Sequence, residues 1–323
     1  MARTADGGSS SRRLPGDDLD EEFDSPETIS AQAAALERLG HEVELLGDGE
    51  PLVRRLLDGP RPDLVWNIAE GTGIGRARES RVPALLEMLE VPYTGSDPLT
   101  LGAALDKDCA KRLVASAGVA TPAWELVGED LESQWPQLSR LRMPLFVKPA
   151  FEGSSKGILA SSIMHDEGEL RDALVELREV YRQPVLVEEF IDGDELTVGL
   201  VGNRPDNVLG IMRVLPRQVS DEPFVYGLEA KRDWRQLVRY ECPAQLSKRD
   251  SQAVREAALT CWRALGCRDV ARIDFRLRDG VPYFLEANPL PGLSPVSGDL
   301  VILAGSLGIE YLDLVACILR AAT

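Results

Sequence analysis

The 323-residue chain holds two histidines, His41 and His165, and five cysteines with no Cys-x-x-Cys pair. Cys109, Cys242, Cys261, Cys267 and Cys317 are scattered and odd in number, which argues against a zinc site or a disulfide framework. Reduced thiols in a cytoplasmic protein are the plain reading. Positive charge is also short. Against 53 Asp+Glu stand 36 Lys+Arg, a net charge of −17. That balance disfavours broad affinity for nucleic acid or an anionic membrane, yet leaves room for a local basic pocket. Long apolar runs are missing: the longest near-apolar stretch, Leu300 to Ile309, falls far short of the roughly 20 residues of a membrane span. The first fifteen residues lack the apolar core of a secretory signal. The chain has no solenoid-length repeat and no GxxxxGK[ST] loop.

What is present is ordinary globular composition, 44% hydrophobic and 28% charged, in a chain long enough for about two or three domains. Residues 1–24 read as a disordered or truncated N-terminus, with 1–15 a solvated tail. Seven carboxylates lie between Asp17 and Glu27: Asp17, Asp18, Asp20, Glu21, Glu22, Asp24 and Glu27. Ser25-Pro26-Glu27 then reads as a helix start, followed by Ile29, Ala33, Leu36 and Leu39 at helical spacing and stopped by Gly40. Short strands at 42–46 and 63–69, with a helix between them, predict a mostly parallel β/α unit. Further helices are expected at 79–89, 106–117, 167–181, 247–265 and 307–321, and strands at 144–149, 185–190, 195–202, 271–277 and 281–287. Asp192-Gly193 reads as a hairpin-like turn between two of those strands. Unit boundaries fall near 103 and 185.

The sharpest local inference comes from ARIDFRLRDGVPYFLEANP. Alternation puts Ile273, Phe275 and Leu277 on one face, and Arg272, Asp274 and Arg276 on the other. Val281, Tyr283, Leu285 and Ala287 alternate with Phe284, Glu286 and Asn288 on the returning strand. If both apolar sets face the core, the loop must be odd, and Arg278-Asp279-Gly280 supplies three residues. Asp274, Glu286 and Asn288 then converge beside Arg272. Three oxygen ligands on adjacent strands suit Mg²⁺; a solvated polar face is the alternative. The small-residue loop Phe151-Glu152-Gly153-Ser154-Ser155-Lys156-Gly157 follows a strand carrying Lys148, and such loops either cover phosphates or merely connect. Glu188, Glu189 and Glu195 offer acceptors for an amino group or ribose hydroxyls, or ordinary solvation.

Together these residues resemble the ATP-grasp superfamily, and within it the D-alanine–D-alanine ligase family. The matching stretches are PALLEMLEVPYTGSDPLTLGAALDKDCAKRL (83–113), LFVKPAFEGSSKGI (145–158), VLVEEFIDGDELTVGLVGN (185–203), YGLEAK (226–231), ARIDFRL (271–277) and YFLEANPLPGLSPVSGDL (283–300). The resemblance implies an α/β chain that turns α+β in its C-terminal half. A substrate domain at 25–103 would precede two subdomains, 104–184 and 185–323, that clamp ATP. It implies ATP-dependent joining of two D-alanines through an acyl phosphate, for peptidoglycan precursor. Lys107 and Lys148 would hold phosphates, and Lys231 the γ-phosphate. Glu188, Glu189 and Ile191 would lie at adenine and Glu195 at ribose. Asp274, Glu286 and Asn288 would hold two Mg²⁺ ions, with Mn²⁺ as a substitute. Arg272 and the Gly292 N–H would stabilise the oxyanion, and Ser297 would bind the second substrate's carboxylate. Ser154 and Ser155 would belong to a closing loop. The expected partners are small amino acids, not nucleic acid or membrane, and a homodimer is left open.

Three departures cluster around the amino-acid sites. The apolar first strand and its Gly-Gly-x-Ser-x-Glu segment are not legible, and Glu27 is the nearest candidate for that acid. Glu70-Gly71 stands where many members carry His. Arg232 stands where many carry Tyr, and would suit an acceptor with extra negative charge. A ligase for another amino acid or peptide, or an inactive ATP-binding scaffold, are the competing readings. The missing strand leads us to expect coding sequence upstream of Met1.

Overall fold

The computed structural model describes residue 18 and residues 21–218 and 223–323. The tail expected at 1–15, and any extension before it, lie outside the described residues. Helix α1 (Pro26–Arg38) starts as its sequence predicts: Pro26 opens the first turn and the Ser25 hydroxyl accepts from Thr28 N at 3.2 Å. Its apolar face does not pack on a parallel sheet. Ala35 and Leu36 bury instead against Val315 near the C-terminus. Helix α2 (Gly49–Asp58) follows, then α3 (Arg81–Met88), α4 (Pro98–Leu105) and α5 (Lys107–Ser116). The strands expected at 42–46 and 63–69 shrink to one parallel bridge between Val65 and Tyr93. Segment 42–46 has no neighbouring strand among the described residues, and an extended segment without a partner forms no ladder. Leu52, Leu56, Val65, Val82, Leu86, Val91 and Tyr93 still form a core there.

Next come β1 (Trp124–Val127), α6 (Leu131–Leu138), β2 (Leu145–Pro149), β3 (Ile163–Met164), α7 (Glu167–Tyr181) and β4 (Val185–Glu189). These strands make an antiparallel sheet in the order β1-β4-β2-β3, and α7 buries Leu170, Leu174 and Leu177 against it. The chain then runs through β5 (Asp194–Val201), β6 (Val208–Pro216), α8 (Leu228–Arg232), α9 (Trp234–Leu237), β7 (Val238–Glu241), α10 (Lys248–Leu265), β8 (Val270–Arg278) and β9 (Val281–Asn288). This second antiparallel sheet has the order β7-β6-β5-β8-β9. Helices α11 (Asp299–Ser306) and α12 (Tyr311–Ala322) close the chain, bent by 112° to each other. Among the described residues no single helix is long and apolar enough to cross a membrane.

Two expectations need correction. Asp192-Gly193 does not close a hairpin. Both edges of β4 are taken by β1 and β2, and both edges of β5 by β6 and β8, so β4 and β5 belong to different sheets. The turn is the crossing between them. A Cβ at Gly193 would come within 2.2 Å of the Leu277 carbonyl oxygen, so only glycine admits this approach.

The β8–β9 loop is two residues, not three. Arg278 pairs with Val281, and Asp279 and Gly280 take φ of 54° and 77°, a type I′ turn. A bulge restores parity: Asp274 faces Glu286 while Phe275 faces Phe284, leaving Leu285 unpaired. Phe284 therefore enters the core against Phe275, with ring centroids 6.3 Å apart. Leu285 turns away from that core and lines a cleft. The expectation that Tyr283 and Leu285 face the core fails because alternation cannot foresee a bulge. Phe284→Ala is expected to cost about 3–5 kcal/mol in urea unfolding, and Leu285→Ala less than about 1.5 kcal/mol. The reverse order would overturn the bulge.

Candidate active site

Strand β4, strands β5, β8 and β9, the loop after β2 and helix α8 enclose a cleft of about 660 Å³. One end is apolar, lined by Pro122, Phe146, Phe190, Ile191 and Leu285. The other holds Lys148, Lys231, Asp274 and Glu286. Antiparallel register explains the acid pair. Asp274 lies directly opposite Glu286, and Arg272 opposite Asn288, so their side chains share a face. Asn288 Nδ2 donates to Asp274 Oδ2 at 3.2 Å, and Thr197 on β5 donates to Asp274 Oδ1 at 2.9 Å. Arg272 donates to Asp274 from Nε and Nη2 and to Asp299 from Nη1 at 3.0 Å.

Electrostatics separates the two acids. Burial alone would raise Glu286, but Lys107, Lys148, Lys231 and Arg272 hold its carboxyl at about 2. Burial pushes Asp274 up to about 6, with Glu286 adding to the rise and Arg272 opposing it. Lys107 Nζ and Arg272 Nη2 stand 3.8 and 3.9 Å from the Glu286 oxygens, too far for direct hydrogen bonds. Glu286 thus stays ionised with its oxygens free to coordinate. Two carboxylates and an amide are hard oxygen donors that fit Mg²⁺. Among the described residues no cluster of three His, Cys, Asp or Glu side chains stands at metal-binding spacing. The fit therefore rests on the pair plus Asn288.

Of the residues singled out in the sequence, Lys148, Ser155, Glu188, Glu189, Ile191, Glu195, Lys231, Asp274 and Glu286 line this cleft. Lys107, Arg272 and Asn288 join it through the contacts above. Glu188 is ion-paired twice, with Lys148 at 2.8 Å and Lys111 at 2.6 Å. Arg276 holds Glu195 at 2.7 Å and donates to the Ile191 carbonyl at 3.2 Å. Glu189 accepts from Arg142 N at 2.9 Å. Ser154 and Ser155 sit in the loop at φ of 49° and 60°.

Three residues lie elsewhere. Gly292 lines a second cleft of about 400 Å³, with Asp24, Trp66, Asn67, Glu70 and the chain just beyond Asn288. Ser297 is exposed and bonds Ser294 Oγ at 3.1 Å. Glu27 is exposed on the first turn of α1 and lines neither cleft. The acid that reaches the loop is Glu22, which ion-pairs with Arg78 and sits 3.2 Å from Lys156. Arg232 is paired with Glu21 at 2.6 Å.

Sequence reasoning missed Lys111, although it follows Lys107 at i+4 on the same helix face. It also missed Asp299, which accepts from Tyr226 and Arg272, and Arg78, for which no local signal exists.

Two antiparallel sheets closing on a cleft, apolar at one end and lined by paired lysines and carboxylates at the other, define an ATP-grasp enzyme. The D-alanine–D-alanine ligase of Bacillus anthracis, solved in complex with ATP, superposes with a TM-score of 0.73 at 26% identity, covering 98% of this chain and 94% of that one. The family model for the D-ala D-ala ligase C-terminus matches residues 113–320. The D-alanine–D-alanine ligase of Aquifex aeolicus is 33% identical over 91% of this chain and 94% of its own. An uncharacterized protein of Sinorhizobium fredii, y4sG, is 36% identical over 90% of this chain and 85% of its own. The chain belongs to the D-alanine–D-alanine ligase family.

Two outcomes test the site. Lys111→Met leaves the buried Glu188 with one cation and is expected to cost about 3–5 kcal/mol in urea unfolding, part of it recovered by adding Glu188→Gln. A loss below 1 kcal/mol, on the same rough scale, would remove the pair from the frame. The second concerns pH. Burial raises Glu79, beside Glu70, from 4.5 to about 7. A raised carboxyl stabilises the fold fully below its unfolded value and loses that contribution as pH climbs through 7. Glu79→Gln should flatten stability between pH 4.5 and 7 relative to the parent; an unchanged slope would show that Glu79 does not titrate there.

Proposed function

We propose that the chain is an ATP-dependent ligase that joins two D-alanine molecules through a peptide bond, as a step toward cell-wall precursor. The observation that carries this reading is Glu286 ringed by Lys107, Lys148, Lys231 and Arg272 at the end of an apolar slot. The chemical obstacle is charge, since an anionic carboxylate must meet the anionic γ-phosphate of ATP. Cations fixed in a buried site lower that barrier because they need no reorganisation during the reaction.

In this reading the adenine lies between Phe146, Ile191 and Leu285, near the backbone that follows Glu188 and Glu189. Glu195, held by Arg276, accepts from the ribose. Lys107 and Lys148 take the phosphates, and Lys231 the γ-phosphate. Glu188 holds Lys148 in place from inside the protein. Asp274, Glu286 and Asn288 would hold Mg²⁺, or Mn²⁺ in its place, which when bound neutralises phosphate charge. Arg272 and the Gly292 N–H face the developing oxyanion, and Ser297 takes the acceptor's carboxylate. The loop carrying Ser154 and Ser155 keeps water from the activated carboxyl, which would otherwise hydrolyse. Residues 25–103 form the substrate unit in this scheme, and the two sheets form the clamp.

Phosphate release from ATP, measured across a panel of D- and L-amino acids, tests the assignment. D-Alanine is expected to give the fastest release; no release with any amino acid would overturn the ligase reading. Glu286→Gln should lower kcat more than about tenfold while changing ATP affinity only modestly, because the charge it organises matters most as the transition state forms. A variant keeping more than about a tenth of the parent kcat would remove Glu286 from the machinery.

A further inference from the structure

The second cleft holds more carboxyl groups than one ammonium group requires. Its wall holds two carboxylates, Asp24 and Glu70. Asp24 accepts only from Gln32 Nε2, at 3.1 Å, and neither acid has an ion pair with Lys or Arg among the described residues. Behind them stand Glu22 and Glu79. The nearby cations are already committed: Arg78 to Glu22 and Glu152, and Lys156 to the same two acids. Burial and the neighbouring Glu79 and Glu22 push Glu70 well above the usual carboxylate range, against Arg78, and Glu70 shares a hydrogen bond with Glu79. A cationic ligand would relieve that repulsion.

A second observation points to a ligand here. Asn67 lines the cleft and is only 6% exposed, yet its Nδ2 has no hydrogen-bond partner among the described residues. Its Oδ1 accepts from Ala69 N at 3.2 Å, which fixes the amide with its donor end free. A buried donor left unpaired costs about 1–3 kcal/mol, so a ligand carboxylate or carbonyl is its natural acceptor. Apart from Thr94, the remaining side chains of the wall are apolar, among them Trp66, Ile68, Val270, Leu290, Leu293 and Ile318. It can cover a methylene stem.

We propose that this cleft also takes an amino acid whose aliphatic side chain ends in a second ammonium group, in place of one D-alanine. The ligand's carboxylate meets Asn67, its stem lies on the apolar wall, and its two ammonium groups meet Asp24 and Glu70. The proposal rests on the ligase reading of the family and extends its substrate range.

Calorimetry on the full chain, with a non-hydrolysable ATP analogue present, separates the two readings. D-Ornithine and D-norleucine have side chains of equal heavy-atom count and differ in charge. D-Ornithine should bind more tightly by about tenfold or more. One of the two variants Glu70→Gln and Asp24→Asn should erase most of that preference, and the other, at the acid that meets the α-ammonium, should weaken both ligands alike. D-Norleucine binding as well as D-ornithine to the parent protein would overturn the proposal, without recourse to any variant. If phosphate release with D-alanine remains normal in that case, only the substrate extension fails. If no amino acid drives phosphate release but D-ornithine is still preferred, the cleft assignment holds and the ligase reading fails.

Discussion

The structure depends on a carboxylate buried between two lysines. Glu188 on β4 is 3% exposed and holds Lys148 of β2 and Lys111 of α5, themselves 3% and 0% exposed. Burial would push the Glu188 carboxyl up, but Lys111 and Lys148 outweigh it and hold the group ionised. Burial also pushes Lys111 down to about 8, with Glu188 opposing. Charges taken out of water persist only when each has its partner. Lys111 Nζ lies 3.4 Å from the Phe284 carbonyl as well, so one helix residue touches both sheets. Lys148, on the wall of the cleft, thereby gets a fixed position that a solvated lysine lacks.

A second set of ionic contacts ties the start of the described chain to the cleft. Asp18 accepts from the Tyr181 hydroxyl and from Gly157 N at 2.8 Å. Glu21 holds Arg232, beside Lys231, and Glu22 holds Arg78 and Lys156. Acids read from the sequence as part of a disordered or truncated N-terminus, Asp18, Glu21 and Glu22, thus bond to the Ser154–Ser155 loop region and to helix α8. Arg232, read from sequence as a feature of acceptor choice, is engaged with Glu21 in this arrangement.

Much of the fold was legible locally. The ends of α1, α7 and α10 follow from Ser25-Pro26, Asp166 and the Ser247 to Gly266 frame, because caps satisfy backbone groups within a turn of sequence. Most cleft-lining residues were also legible, since Lys148, Glu188, Asp274 and Glu286 lie on short motifs whose alternation sets their direction. Strands β6 and β7 and helix α11 gave no such local signal, and their pairing comes from distant segments.

The sequence by itself determined which helices start and stop and how the residues of β8 alternate between core and cleft. Tertiary structure decided the rest. Strands β4 and β5 part into two sheets because every edge they could share is already paired. A bulge, not the loop, corrects the parity of β8 and β9 and sends Phe284 inward. Glu22 rather than Glu27 meets the loop because Arg78, far along the chain, stands ready to compensate it. Hydrogen-bond edges and compensating charges are supplied by residues remote in sequence, and no local pattern of side chains records where such partners will be.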